Sequence, residues 1–157
     1  NFMKKGLLSV FLFLVGCSST TPKTGLAYHQ VYGEDAICVA SVYLEGDMIK
    51  GVTLDELTYL SKEEYDGLIQ SLETTTHKQI ASKRENDDAY SEVMKMNGAT
   101  QTISENYDAI CKYVLGKSVS ELEKEIENKE VDVIASCTLE NAKGYLEAIL
   151  KACKEAV

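Results

Sequence analysis

A segment near the C-terminal end of the sequence combines residue types that can hold an anion. Residues 132–138 read Asp-Val-Ile-Ala-Ser-Cys-Thr, a short apolar stretch followed by small residues and a hydroxyl residue. Small side chains at Ala135, Ser136 and Cys137 would let the backbone approach a phosphate, and a helix beginning here would offer it free N–H groups. Thr138 would place a nucleophilic oxygen in this cradle. The pattern is equally explained if Thr138 only caps the helix that follows.

Other common chemistries have no motif in the chain. The sequence contains no Gly-x-Ser-x-Gly nucleophile elbow, no His-Glu-x-x-His zinc motif and no phosphate-binding P-loop. His29 and His77 stand apart from any Ser or Cys motif, and the cysteines form no Cys-x-x-Cys pair. We therefore expect neither a simple hydrolase nor a metal site.

Four cysteines follow the N-terminal region, and their number permits two disulfides by three pairings. Cys38 falls within an apolar strand pattern, whereas Cys111 and Cys153 fall on helix faces; the fourth is Cys137. These positions favour buried free thiols over disulfides.

The N-terminal region has the order of a secretory leader. Lys4 and Lys5 precede an apolar run at 6–16, close to the roughly 7–15 residues of a signal peptide and shorter than the roughly 20 of a membrane span. Leu-Val-Gly-Cys at 14–17 resembles the bacterial lipoprotein box, whose Cys receives a diacylglyceryl group. An ordinary signal peptide with a chance Cys is the alternative.

These features predict three regions. Residues 1–16 form a lipoprotein signal peptide, with residues 1–2 outside the natural start; residues 17–27 form a lipidated tether; residues 28–157 form one folded domain. Acyl chains on Cys17 would hold the domain at the cell membrane, on the extracytoplasmic face.

The net charge of the chain limits the classes of partner that it is expected to bind. The sequence has 16 basic and 25 acidic residues, a net charge of −9, and −11 without the two leader lysines. Such an acidic body repels a phosphate backbone, so nucleic-acid binding is not expected. All three Phe lie in the leader and there is no Trp, which leaves nine Tyr as the aromatic surfaces of the domain.

The order of predicted elements favours an α+β fold, with an antiparallel sheet that begins with a hairpin and is packed by several helices. The hairpin joins residues 36–44 and 48–57. A short strand at 131–135 and the anion-type loop precede the last helix. Capping boxes or apolar periodicity predict helices beginning at Ser61, Glu85, Thr102, Ser118 and about Leu139.

The segment DVIASCTLENAKGYLEAILKA resembles the closing part of the extracellular FMN-binding domain family. That family includes the periplasmic C subunit of sodium-pumping NADH:quinone reductase and flavin lipoproteins of Gram-positive extracellular electron transfer. In its motif D-x-x-[ST]-G-A-[ST], Asp132 matches the Asp, Ala135 the first small residue, Ser136 the Gly, Cys137 the Ala and Thr138 the flavin acceptor. KRENDDAYSEVMKM, YDAICKYVLGKSVSEL and VASVYLEGDMIKGVTLDEL are also similar, so the resemblance spans about 36–155.

The resemblance implies a lipid-anchored, extracytoplasmic FMN-binding protein that acts in electron transfer rather than in substrate turnover. FMN would be linked through a phosphoester to Thr138 by a flavin transferase, and redox proteins would be its partners. Ser136 and Cys137 depart from the Gly and Ala of the motif. These departures leave open a non-covalent FMN site, or a flavin-free binding or scaffold lipoprotein on the same fold.

A second segment offers an alternative FMN loop. Gly98-Ala99-Thr100 matches the Gly-Ala-Thr of the family motif, although Met94 stands where the match would place its Asp. Tyr107 and Tyr145 each follow a candidate loop by seven residues, which makes them candidate neighbours of the flavin ring.

Overall fold

The structure is a computed structural model that describes residues 20–33, 35–68, 78–128, 134 and 137–157. Cys17 and the predicted leader lie outside the described residues. Asp132, Ala135 and Ser136 of the anion-type loop lie outside them too, as does the predicted strand at 131–135 apart from Ile134. That isoleucine is buried, with 2% of its surface exposed.

The described chain forms one antiparallel sheet and four helices, which confirms the α+β prediction. The strands are β1 (Pro22–His29), β2 (Ala36–Glu45), β3 (Met48–Ser61) and β4 (Lys78–Ser82). They lie in the order β1-β2-β3-β4, so that each strand pairs with its neighbour in sequence.

The predicted hairpin is the β2–β3 pair. Its turn contains Gly46, whose φ of 62° lies in the left-handed region that glycine adopts without strain. Burial alternates along β2, as expected for a strand with one face on the core. The buried positions are Ala36, Cys38, Ala40, Val42 and Leu44.

Strand β1 corrects the predicted tether. Residues 22–27 were assigned to a polar linker, but they pair with β2 from Pro22 opposite Glu45 onwards. The sequence of β1, Pro-Lys-Thr-Gly-Leu-Ala-Tyr-His, carries no apolar alternation, so its pairing depends on residues farther along the chain. At Gly25 an added Cβ would lie 1.9 Å from the Ala152 carbonyl oxygen, which shows how closely this strand approaches the last helix.

The helices are α1 (Asp87–Met96), α2 (Ile103–Val114), α3 (Val119–Glu127) and α4 (Ala142–Lys154). Two predicted capping boxes are present in full, Thr102 with Glu105 at α2 and Ser118 with Glu121 at α3. Helices α4 and α2 pack on the sheet and bury its inner face. Among the described residues, no helix is both long and apolar enough to cross a bilayer.

The helix predicted to begin at Ser61 is wrong for residues 61–68. Ser61 is the last residue of β3, and residues 62–68 form turns. Pairing of residues 57–61 with β4 extends the strand to this point. The Ser61 hydroxyl donates to the carboxylate of Glu63 and accepts from the Glu63 N–H at 3.2 Å, so its bonds are made within the turn after β3.

Candidate functional site

A cleft of about 690 Å³ lies between the turn after β3, the C-terminal half of α1 and the segment that precedes α4. Both loops that the sequence singled out border it. The lining residues come from three stretches of chain, 64–65, 90–100 and 138–140: Glu64, Tyr65, Tyr90, Val93, Met94, Asn97, Gly98, Ala99, Thr100, Thr138, Leu139 and Glu140.

Two tyrosines form an aromatic part of the cleft wall. The rings of Tyr65 and Tyr90 are stacked, with centres 5.6 Å apart and planes within 9°. Tyr90, Val93 and Met94 of α1 are partly buried. Tyr90 and Met94 pack against the hydrophobic core, and all three also line the cleft.

The Gly98–Thr100 loop ends helix α1. The Ala99 N–H donates to the Met94 carbonyl and the Gly98 N–H donates to the Lys95 carbonyl, the paired bonds of a Schellman motif. Gly98 has a φ of 93°, which a side chain would disfavour. The glycine is therefore explained by helix termination. The same geometry turns the negative end of the α1 dipole toward the cleft.

Thr138 reaches the cleft without capping a helix. Helix α4 begins at Ala142 rather than near Leu139, and its cap is Asn141, whose side chain accepts from the Gly144 N–H. The N–H and the hydroxyl of Thr138 both donate to Asn106 Oδ1, at 2.6 and 3.1 Å. Both donors that the anion cradle required from Thr138 are thus already engaged.

A buried carboxylate lies behind the cleft. Glu56, on β3, is fully buried, and its Oε2 accepts from Lys83 Nζ at 2.8 Å, Tyr107 OH at 2.7 Å and Tyr145 OH at 2.8 Å. Lys83 Nζ also lies 4.9 Å from the centre of the Tyr90 ring. The buried ion pair therefore touches the aromatic wall of the cleft.

The buried surroundings of Glu56 shift the pKa values of its three hydrogen-bond partners. Burial acts to lower the pKa of Lys83, but Glu56 and Tyr90 together outweigh burial and hold that pKa above its ordinary value. Burial raises the pKa of Tyr107 and of Tyr145, and the nearby Glu56 charge raises both further. Lys83 thus stays charged and the two phenols stay protonated across the physiological range.

Tyr107 and Tyr145 were candidate neighbours of a flavin ring, and that prediction is wrong for this cleft. Both are fully buried core residues, and neither is among the residues that line it. Glu56 was not singled out from the sequence. The sequence feature that could have identified it is an acidic residue at an inward position of β3, two residues after the buried Leu54.

All four described cysteines are free, as their sequence positions favoured. Cys38, Cys111 and Cys153 are buried, while Cys137 is half-buried. Burial raises the pKa of Cys38 to about 12 and the pKa of Cys111 and of Cys153 to about 11. At neutral pH these three side chains are neutral core residues.

FMN can be compared with the cleft part by part. The volume lies within the roughly 300–1,000 Å³ of small-molecule sites, and Tyr65 with Tyr90 gives an aromatic surface for a ring. The described lining is less suited to the phosphate of FMN. The described lining residues include Glu64 and Glu140 but no Lys or Arg, and the Thr138 donors are used by Asn106. The described lining residues thus offer an aromatic contact to the ring of FMN but no positively charged group to its phosphate.

Within the described part of the chain, no group of three or more His, Cys, Asp or Glu side chains is placed to hold a metal ion. Comparison of the chain with protein families, with curated proteins and with solved structures found no match.

Proposed function

We propose that this protein is a lipid-anchored, extracytoplasmic binding protein and that the cleft beside Tyr65 and Tyr90 is its ligand site. One observation carries the proposal. Residues 98–100 and residue 138, chosen from the sequence as two rival ligand loops, border a single cavity of ligand size. The Tyr65–Tyr90 pair and three threonine or asparagine side chains that line the cavity supply both apolar contact and hydrogen-bonding groups.

The membrane anchor is the second part of this proposal. Cys17 stands at the position of the acylated Cys in a lipoprotein box, and β1 begins at Pro22. The acyl chains would then hold the sheet within a few residues of the membrane surface. A ligand would reach the cleft from outside the cytoplasmic membrane.

FMN-dependent electron transfer is the second candidate function. The observation that favours it is again the meeting of Thr138 with the Gly98–Thr100 loop, beside a tyrosine pair on which a flat ring could stack. A bound flavin would supply the redox chemistry, while this chain would hold and orient it. Covalent attachment would require the Thr138 hydroxyl to leave Asn106.

Absorbance and intact mass separate the two candidates. The chain is purified from cells that hold a flavin transferase, and from the same cells expressing Thr138→Ala or Thr100→Ala. A colourless protein with an acylated mass and no flavin adduct supports a flavin-free binding protein. Yellow protein with an adduct that only Thr138→Ala removes supports the flavoprotein instead, and an adduct lost only in Thr100→Ala assigns it to the other loop.

A further inference from the structure

From the chemistry of its wall, we infer that the cleft binds an organic cation, an ammonium group carried on an apolar or aromatic body. This inference rests on the proposed function, because it names the class of ligand for the same cleft. It concerns the charge of the ligand, which the size and shape of the cavity do not determine.

The described charges that border the cleft are negative. Glu64 and Glu140 are exposed on its rim, from the turn after β3 and from the segment before α4, and neither forms a salt bridge in the described structure. The C-terminal end of α1 adds the negative pole of a helix dipole, which Lys95 in the last turn offsets in part. Each of these favours a cation and disfavours a phosphate or carboxylate.

Among the described residues, the cation that touches this wall from behind is Lys83, and its charge is already neutralised. Lys83 lies against Tyr90, but it is buried and its ammonium pairs with Glu56 at 2.8 Å. The Glu56–Lys83 pair carries no net charge, so it does not cancel the carboxylates on the rim.

The aromatic pair suits the same ligand. An ammonium group is attracted to the face of a tyrosine ring, and an attached flat or apolar body can pack on the stacked rings of Tyr65 and Tyr90. Val93 and Met94 extend this surface with apolar side chains. The wall therefore offers contact to both halves of an arylalkyl amine.

Three isosteric probes test the charge directly. Tryptamine is a cation, tryptophol is neutral and indole-3-acetate is an anion, and all carry the same ring. Binding to the full chain in detergent is measured by calorimetry at pH 7 in low salt. We expect tryptamine to bind at least tenfold more tightly than indole-3-acetate, with tryptophol between them, and its advantage to shrink as salt is added.

Matched variants locate the effect. The double variant Glu64→Gln/Glu140→Gln should weaken tryptamine three- to tenfold and leave tryptophol within twofold. Glu92→Gln removes an exposed carboxylate of α1 that does not line the cleft, and it should change neither affinity. If indole-3-acetate binds as tightly as tryptamine, the charge inference is wrong and the binding function stands. If none of the three probes binds at millimolar concentration, the proposed ligand site itself is contradicted.

Discussion

The ammonium of Lys83 lies 4.9 Å from the centre of the Tyr90 ring and forms an ion pair with the fully buried Glu56. Tyr90 in turn stacks on Tyr65. The aromatic wall of the cleft is therefore supported by a charge pair from the centre of the fold. Changes that disturb this pair should affect stability and the cleft together.

Removing the buried cation should be costly. Lys83→Met leaves the Glu56 carboxylate buried without its counter-ion, so we expect the free energy of unfolding to fall by about 3–5 kcal/mol. Urea unfolding followed by circular dichroism measures this loss. The double variant Glu56→Gln/Lys83→Met removes both charges and should be clearly more stable than the sum of the single variants predicts. Strict additivity would show that the pair is not coupled.

Stability should fall in alkaline solution. Cys38, Cys111 and Cys153 have folded-state pKa values of about 12, 11 and 11, above the 9.0 of an exposed thiol. Between pH 9 and 12 the unfolded chain therefore releases protons that the folded chain retains, which favours unfolding. The raised pKa of Lys83 has the same sign. The urea midpoint should be flat from pH 7 to 8.5 and decline above pH 9; a rising midpoint there contradicts these shifts.

Asn106 should fix the segment that carries Thr138. It is fully buried, accepts from the Thr138 N–H and hydroxyl, and donates to the Thr102 carbonyl at 2.9 Å. Asn106→Ala leaves these groups without partners, so we expect a loss of about 1–3 kcal/mol in unfolding free energy and weaker binding in the cleft. Asn128→Ala, at the exposed end of α3, is the control and should stay within about 0.5 kcal/mol of the parent. Equal stability of the two variants would remove Asn106 from this role.

The proposed lipid anchor predicts the cell fraction in which the protein is found. Cys17→Ala should move the protein from the membrane fraction to the soluble extracytoplasmic fraction, because no acylation site remains at the predicted lipoprotein box. Fractionation after a carbonate wash, followed by immunoblotting, measures the change. Cys137→Ala retains Cys17 and should stay with the membrane. Retention of Cys17→Ala after the wash would contradict lipid anchoring at this residue.

Elements with a strong local signal were predictable from the sequence. The capping boxes at Thr102 and Ser118 are set by residues three apart, and both helices begin where those residues predict. Strand β1 and the end of β3 have no such signal. Residue 22 pairs with residue 45, and Ser61 with Lys78, so these strands depend on contacts that local sequence does not encode.

The candidate site also has a part that the sequence predicted and a part that depends on the fold. Small residues and threonines at 98–100 and 138 are visible in sequence, although the first group turned out to end a helix. Asn106 lies 32 residues from Thr138, and Glu56 lies 27 residues from Lys83. Such pairings depend on how the sheet and the helices pack, which is why the sequence led to Thr138 but not to the residue that holds it.

The most direct test of the cleft as a ligand site is residue-level mapping by NMR. Tryptamine is titrated into the ¹⁵N-labelled protein in detergent, and the backbone amide shifts are followed. We predict saturable shifts concentrated at Gly98, Ala99, Thr100 and residues 138–140, with Asn128 unchanged. Shifts concentrated on the exposed sheet residues Tyr28 and Ile37, or no saturable shifts anywhere, would contradict the assignment of this cleft.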